Sequence, residues 1–599
     1  MAAQWLPTKR LLAAYQQRQL MDDSPSSDQP GLPWLAEDIR PDRLMSLEQA
    51  LSSFVLPDSS VYIATDVQAA VRGIARQFAL SGAGLTVICL RAGASHVGEL
   101  LHAGLVKKLI AASFGVQFPA FQPCPLVQRR YQAGDTQFES WSLFSLVQRL
   151  MAGAMGIPFF PTRSLVGSAM TAHADYATLP SPFSGESVAV VSALTPDVTI
   201  AHALAADTAG NAIVVPPFED DLWSTRAATK GVIVLAENIV PTAFLRQHAN
   251  LVRIPAAKVI AVCHTPYAAH PEGYESGLDL DLPITRYARD ITHYQDYARA
   301  ARDDGAFRQW AKEWITGIES HAAYVSRLDL DRTGTGNSAE SRKPPSLAQV
   351  YSRYTERMAE PWTPVDMMIV ATARMVRDLV MSKNYKTMLV GAGNCRTAGA
   401  LAYYLLKKAG CALTLVEGTG RVGYEPLPIA NANRLTSTML TGTVDAYGTL
   451  VGGHQNQCLA LLGSGEIDVF GNMNSTFSHG TFLVGSGGSN DAVSLAAETL
   501  VMMRQSARRM VPRVECVTSP GSRVTQLISE QGIYGKDADG RFLLQGYFAY
   551  DGIRTADEAT RAIQEKCGWP IRTGNLHSIA PPSDEELSIL RWLTGTPSP

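Results

Sequence analysis

The sequence predicts an α/β protein built from two tandem, related domains, each an open, mostly parallel sheet with crossover helices. Three observations predict it. Short apolar runs that read as strands alternate with helical patterns on both sides of one polar seam. Most of these runs stop on Gly, Asp, Ser or Asn, and in open α/β sheets that carboxyl edge is where ligands bind. Similar segments recur before and after the seam, which points to a duplicated unit. The composition agrees, with 46% hydrophobic and 18% charged residues over 599. That length suits two to four domains, each large enough to bury its own core.

Residues 1–42 form an N-terminal extension. Residues 1–20 read as a helix carrying Lys9 and Arg10, and Tyr15-Gln16-Gln17-Arg18-Gln19 interrupts them. They lack the apolar stretch and cleavage site of a secretory signal. Residues 21–33 are polar and hold several prolines. A first domain spans 43–328, with strands expected at 60–64, 85–90, 188–191, 198–202, 231–236 and 258–263. Residues 329–346, DLDRTGTGNSAESRKPPS, have almost nothing to bury and read as a linker. Some 18 such residues reach about 20–25 Å. A second domain spans 347–599, with strands expected at 387–390, 413–417, 467–470, 482–484 and 513–518.

Internal matches tie the halves together. Residues 196–200 with Gly210-Asn211 resemble 466–470 with Gly471-Asn472, and 252–266 resemble 510–521.

Composition also excludes function classes. The net charge of -3 and a pI near 6.5 leave no footprint for nucleic acid or an anionic membrane. No apolar run reaches the roughly 18 residues of a membrane helix, so a cytoplasmic enzyme is expected. The eight cysteines, at 89, 124, 263, 395, 411, 458, 516 and 567, form no C-x-x-C pair and read as reduced, buried thiols. The histidines show no zinc-binding spacing, and no metal site is expected.

Three stretches carry candidate chemistry. In residues 386–410 a strand runs into Gly391-Ala392-Gly393 and then a helix. Its amides can face an anion, or the segment is only a tight turn. It is no dinucleotide fingerprint, because Arg396 stands where a third glycine belongs. In residues 411–428 a hydrophobic strand ends in Glu417-Gly418-Thr419-Gly420, an exposed carboxylate backed by a core, or simply a capping acid. In residues 465–503 a strand leads into Gly485-Ser486-Gly487-Gly488-Ser489-Asn490. Three glycines in four residues exceed what a turn needs and leave amides to converge on a negative oxygen. Asp491 is a candidate helix cap, and Met502 and Met503 read as core.

In this order, VEG, FGNMNST, VGSGGSN and VTSPG, residues 365–547 resemble the β subunit of glutaconate-type, family I CoA-transferases. GIPFFPTRSL (156–165), PDVTIAHALAADTAGN (196–211), TPYAAHPEG (265–273) and the helical tail FRQWAKEWITGIESHAAYVSRL resemble the α subunit. The chain thus looks like a fused α–β enzyme of the CoA-transferase (NagB/RpiA-like) fold. The resemblance implies CoA transfer from an acyl-CoA to a carboxylic acid through a glutamyl-CoA thioester on Glu417. It implies an oxyanion and CoA site at Gly485, Gly487, Gly488, Asn490, Gly391 and Gly393. Gly418, Thr419, Arg421 and Arg163 are substrate-binding candidates, with surface ion pairing as the alternative for the two arginines. Substrate walls are expected from residues 111–121 and 164–171. Coenzyme A enters as a thioester substrate, no cofactor is held permanently, and the fused chains are expected to pair as a homodimer.

Departures from the family pattern keep alternatives open. Glu417-Gly418-Thr419 replaces E-S-G, Ile63-Ala64-Thr65-Asp66-Val67 replaces a glycine-rich loop, and the loop after Gly521 is shorter. An acyl-CoA hydrolase or a glutaconyl-CoA-type decarboxylase on this scaffold is the second reading, and a non-catalytic acyl-CoA-binding module the third.

Overall fold

The computed structural model describes residues 41–594 other than 80, 117–121, 216–219, 279, 329–351, 353, 359, 429–435, 550–552 and 554. The expected linker and almost all of the N-terminal extension lie outside the described residues. From Arg43 onward the chain packs as one compact unit, so the two halves share an interface instead of standing apart.

The first half centres on a parallel sheet of β1 (Ser60–Ile63), β2 (Leu85–Arg91), β3 (Val106–Ser113), β4 (Gln137–Ser140), β5 (Val198–Ala206), β6 (Gly231–Ile239) and β7 (Val259–His264), in the order β4-β3-β2-β1-β5-β6-β7. The second half has β8 (Thr387–Val390), β9 (Thr414–Val416), β10 (Cys458–Leu462), β11 (Glu498–Met502) and β12 (Val524–Ile528), parallel in the order β9-β8-β10-β11-β12. β13 (Gly532–Lys536), β14 (Phe542–Phe548) and β15 (Thr573–Ile579) extend that edge, the first two by antiparallel pairing. The order β2-β1-β5-β6-β7 therefore repeats as β9-β8-β10-β11-β12. In each half the chain reverses its winding at the first strand, which opens a crevice at that strand's carboxyl end.

A second repetition is finer. Asp207 accepts from the Gly210 and Asn211 amides at 2.9 and 2.8 Å and from Asn211 Nδ2 at 2.9 Å. Asp468 accepts from the Phe470 and Asn472 amides at 3.0 Å each and from Asn472 Nδ2 at 3.1 Å. The two asparagine oxygens then accept the amides of Ala256 and Gly521, each following a proline, at 3.1 and 2.8 Å. The matched glycine–asparagine pairs do correspond, but the acid closing the first turn is Asp207. Asp197 instead holds Ser60. Likewise Pro255, not Pro266, corresponds to Pro520.

Some expected strands differ. Residues 188–191 belong to Ser187–Ser192 of a separate three-stranded antiparallel sheet. Residues 482–484 give only the second arm of a small hairpin, Thr481–Phe482. Residues 467–470 shorten to Glu466–Asp468 because the Asp468 turn begins there. Residues 513–518 are bends, whose Val514 amide points to Asp468. Met502 and Met503 are core, the first of them ending strand β11.

Helices cover the two large sheets, and some of them begin on a side-chain cap. α1 (Gln68–Gln77) follows β1, and α2 (Leu143–Met155) starts at Ser142, whose hydroxyl accepts the Ser145 amide. α3 (Asp221–Ala227) precedes β6. In the second half, α4 (Pro364–Lys383) carries a Thr363–Asp366 capping box and Pro364 at its first position. α5 (Asn394–Lys408) follows β8, and α6 (Ser489–Leu495) follows the glycine loop.

Candidate active site

Glu417 is the first residue past β9, at the crevice of the second half, and its side chain is 93% buried. Both carboxylate oxygens are held. Arg421 Nη1 lies 2.9 Å from Oε2 and Arg396 Nη2 lies 3.3 Å from Oε1. The turn that places it is local: the Glu417 amide donates to the Arg421 carbonyl, and the Gly420 amide to the Glu417 carbonyl. Gly420 has φ +92, and a Cβ there would overlap the Thr441 carbonyl, so only glycine closes this turn. Arg421 also approaches Thr419 Oγ1 at 3.4 Å. Burial, with the nearby Glu417 charge, pushes the Tyr424 phenol up.

The glycine loop reaches the same crevice by leaning on the first half. The Gly487 amide donates to the Ala112 carbonyl at 2.7 Å, and its own carbonyl accepts the Leu143 amide at 2.8 Å. The Phe114 amide donates to the Val484 carbonyl at 2.9 Å. Gly485 (φ +77) donates to Ser475 and sits where a Cβ would meet the Phe114 ring at 2.9 Å. Gly487 thus spends its amide on the other half, whereas Gly485 spends its amide on Ser475 of its own half and meets the other half only through the space it leaves for the Phe114 ring. The Gly488 amide makes no hydrogen bond among the described residues.

Asn490 is fully buried and is likewise a pin: its Oδ1 accepts the Leu165 amide at 2.8 Å and its Nδ2 donates to the Thr518 carbonyl at 2.9 Å. Asp491 does not cap its own helix. It accepts from Ser142 Oγ and, at 2.9 Å, from the Phe144 amide of α2. Burial pushes its carboxyl up to about 6.

Gly418 and Gly488 meet around one side chain. A Cβ on either would overlap the hydroxyl of Tyr447, which stands on the π-helical segment Val444–Val451. The two motifs that stand apart in the sequence are therefore brought face to face across a phenol that neither motif contains. Tyr447 and the ion-pairing Arg396 are the site residues that sequence reasoning misses. Arg396 is visible as a charge in a glycine turn, whereas nothing local marks Tyr447.

The other candidates are more distant partners. Gly391 donates to the Leu461 carbonyl at the end of β8. Gly393 has φ +73 and starts α5, which carries Arg396. Arg163 reaches across the halves to the Gly452 carbonyl. It contacts the end of the Tyr447 segment and shows no contact with Glu417. The expected wall residues Ala112, Phe114, Leu165 and Ala169 all bond to second-half segments next to the site. Asp220, beside α3, accepts from the amide and hydroxyl of Thr443, at the start of the Tyr447 segment. Cys395 is buried, and burial pushes its thiol up to about 12, which leaves it unreactive. No group of three metal-ligating side chains occurs among the described residues, and no helix there is long and apolar enough to cross a membrane.

Comparison with known proteins bears on this arrangement. Residues 44–263 match the family described as Coenzyme A transferase. The chain is 30% identical over 200 residues to one of the two matched subunits of the 3-oxoadipate CoA-transferase of Pseudomonas knackmussii, covering 32% of this chain and 64% of that one. It is 26% identical over 258 residues to the other of these subunits, covering 38% of this chain and 92% of its match. The chain spans 62% to 65% of the length of three of the curated relatives it matches. An acyl-CoA transferase of Escherichia coli O157:H7 shares the fold, with TM-score 0.61 and 15% identity over 90% of this chain and 97% of that one.

Proposed function

We propose, for a chain that belongs to the Coenzyme A transferase family and spans counterparts of both its subunits, that it moves CoA from an acyl-CoA to a carboxylic acid through Glu417. The observation that carries this reading is the Glu417 carboxylate at the end of β9, held by two arginines, with the next residue, Gly418, meeting Gly488 of the glycine loop at Tyr447. A Glu417 oxygen attacks the thioester carbonyl and the C–S bond breaks, releasing CoA thiolate and leaving an acyl-glutamyl anhydride. The thiolate then attacks the glutamyl carbonyl, which expels the first acid and leaves a glutamyl-CoA thioester. The second acid's carboxylate attacks that thioester, and the two steps run backwards on the new acyl group. One difficult exchange becomes two easier ones.

The two arginines differ in exposure. Arg421 is mostly buried and keeps Glu417 in position. Arg396, 56% exposed, is able to release Oε1 for attack and to pair with an incoming carboxylate. The chemistry calls for no metal and no redox group.

Intact-mass measurement after incubation with acyl-CoA and no acceptor tests the reading. The expected result is a gain of CoA less one water, absent in Glu417→Ala. Free acid or CO2 accumulating without any adduct would transfer the assignment to the hydrolase or decarboxylase reading.

A further inference from the structure

Tyr447 is buried to 4% exposure, yet its hydroxyl makes no hydrogen bond among the described residues. A phenylalanine would fill the same space, so packing alone does not account for the hydroxyl. The position of the hydroxyl is also unusual. It lies against the Cα atoms of both Gly418, the residue after Glu417, and Gly488, whose amide is itself unengaged among the described residues. The ring is fixed by stacking on Phe144 of α2, with centroids 6.4 Å apart. The backbone that carries it is π-helical, a local distortion frequently found at functional sites. Burial, together with the charges of Asp491 and Asp220, pushes the phenol well up, so it stays protonated and keeps its proton available for donation.

We propose that Tyr447 is a catalytic residue whose hydroxyl, beside the Gly488 amide, donates to the oxyanion formed when Glu417 attacks a thioester carbonyl. This rests on the transfer reading above. It also accounts for both glycines at once: a side chain at 418 or 488 would displace the hydroxyl from the place where the charge develops. A donor aimed at the oxyanion, and not at the ground-state carbonyl, lowers the barrier without tightening substrate binding.

The test uses the full-length chain and rapid-quench intact mass with acetyl-CoA, succinyl-CoA and glutaryl-CoA as probes. Tyr447→Phe should melt at the wild-type temperature. It should lower the rate of CoA adduct formation by about 10²–10³-fold. The substrate concentration for half-maximal rate should stay within about twofold, since only transition-state binding is lost. Wild-type labelling by Tyr447→Phe, with adduct formed normally in the parent, would overturn the role of Tyr447 and leave the Glu417 reading standing. A loss that appears only as weaker binding would also overturn it, as a packing effect. Absence of adduct in the parent with every probe would remove the Glu417 reading and this role with it.

Discussion

The two crevices at the carboxyl ends of β1 and β8 are the same place built twice. Ala64 donates to the Ile200 carbonyl on β5 as Gly391 donates to the Leu461 carbonyl on β10. Ser60 lies opposite Thr86, and Thr387 opposite Thr414. Counting along these registers puts Asp66 where the second half has Gly393, and Cys89 where it has Glu417. Asp66 even keeps the left-handed backbone, φ +66 against +73 for Gly393.

The contents nonetheless diverge. Cys89 is buried, and burial pushes its thiol far up, so it is inert. The first crevice is lined instead by Thr65, Asp66, His202 and Asp221, with His202 tied to Glu237 at 2.8 Å. A scaffold position thus does not confer chemistry. What distinguishes the second crevice is a carboxylate with two arginines and a glycine pair leaving room for one hydroxyl.

Removing the residue that differs between the two crevices should have the largest effect. Glu417→Ala should reduce turnover by about four orders of magnitude or more while the fold persists. The matched Cys89→Ser should keep activity within about twofold, because its thiol touches no reacting group. Steady-state transfer assays with circular dichroism as control decide both. Near-normal activity in Glu417→Ala would place the chemistry elsewhere.

Next in size, Gly488→Val drives a side chain into the Tyr447 hydroxyl and should cost about 10²–10³-fold in turnover. A fully active variant would show that the loop does not face the reacting carbon.

The matched left-handed pair should respond unequally. Gly393→Ala meets nothing within 4 Å, so its cost is purely backbone strain, about 1–3 kcal/mol. Asp66→Gly relieves such strain and should change stability by about 1 kcal/mol or less, the gain offset by a more flexible unfolded chain. Chemical denaturation measures both, and destabilisation of equal size in the two would mean that the positions are not equivalent.

The smallest effect is a pH dependence. Burial raises the Asp66 carboxyl from 3.8 to about 6, so between those values the folded state binds more protons than the unfolded one. Its contribution to stability is present below pH 3.8 and is lost as pH rises to about 6. Asp491, at about 6, and Asp220, at about 7, act in the same direction. Asp66→Asn should flatten part of the fall in Tm between pH 4 and 7 while the remainder persists. An unchanged slope would show that Asp66 is not the group titrating.

The legible parts of the molecule are those governed by neighbours in sequence. Strand 387–390 is legible to the residue, because a lysine and a glycine bracket a β-branched threonine and three apolar residues. Strand β5 runs past His202, where its sequence pattern stops, since nothing local shows that Glu237, 35 residues away, pairs with that histidine. Strand β3 escapes the pattern altogether because Lys107 and Lys108 disguise its start. In the site, Glu417 and the glycine loop announce themselves by type and spacing. The use of Gly485 and Gly487 as a docking edge, and the meeting of Gly418 and Gly488 at Tyr447, arise only from tertiary contact.

That docking edge has a consequence for how the protein behaves in dilute solution. The loop takes its shape from the carbonyl of Ala112 and the amides of Phe114 and Leu143, which belong to the other half. Where two separate chains must meet to shape such a loop, the active fraction falls with concentration. Here the partner surface is carried on the same polypeptide at a fixed effective concentration. The shaping of the loop, and with it the specific activity it supports, should hold constant through serial dilution.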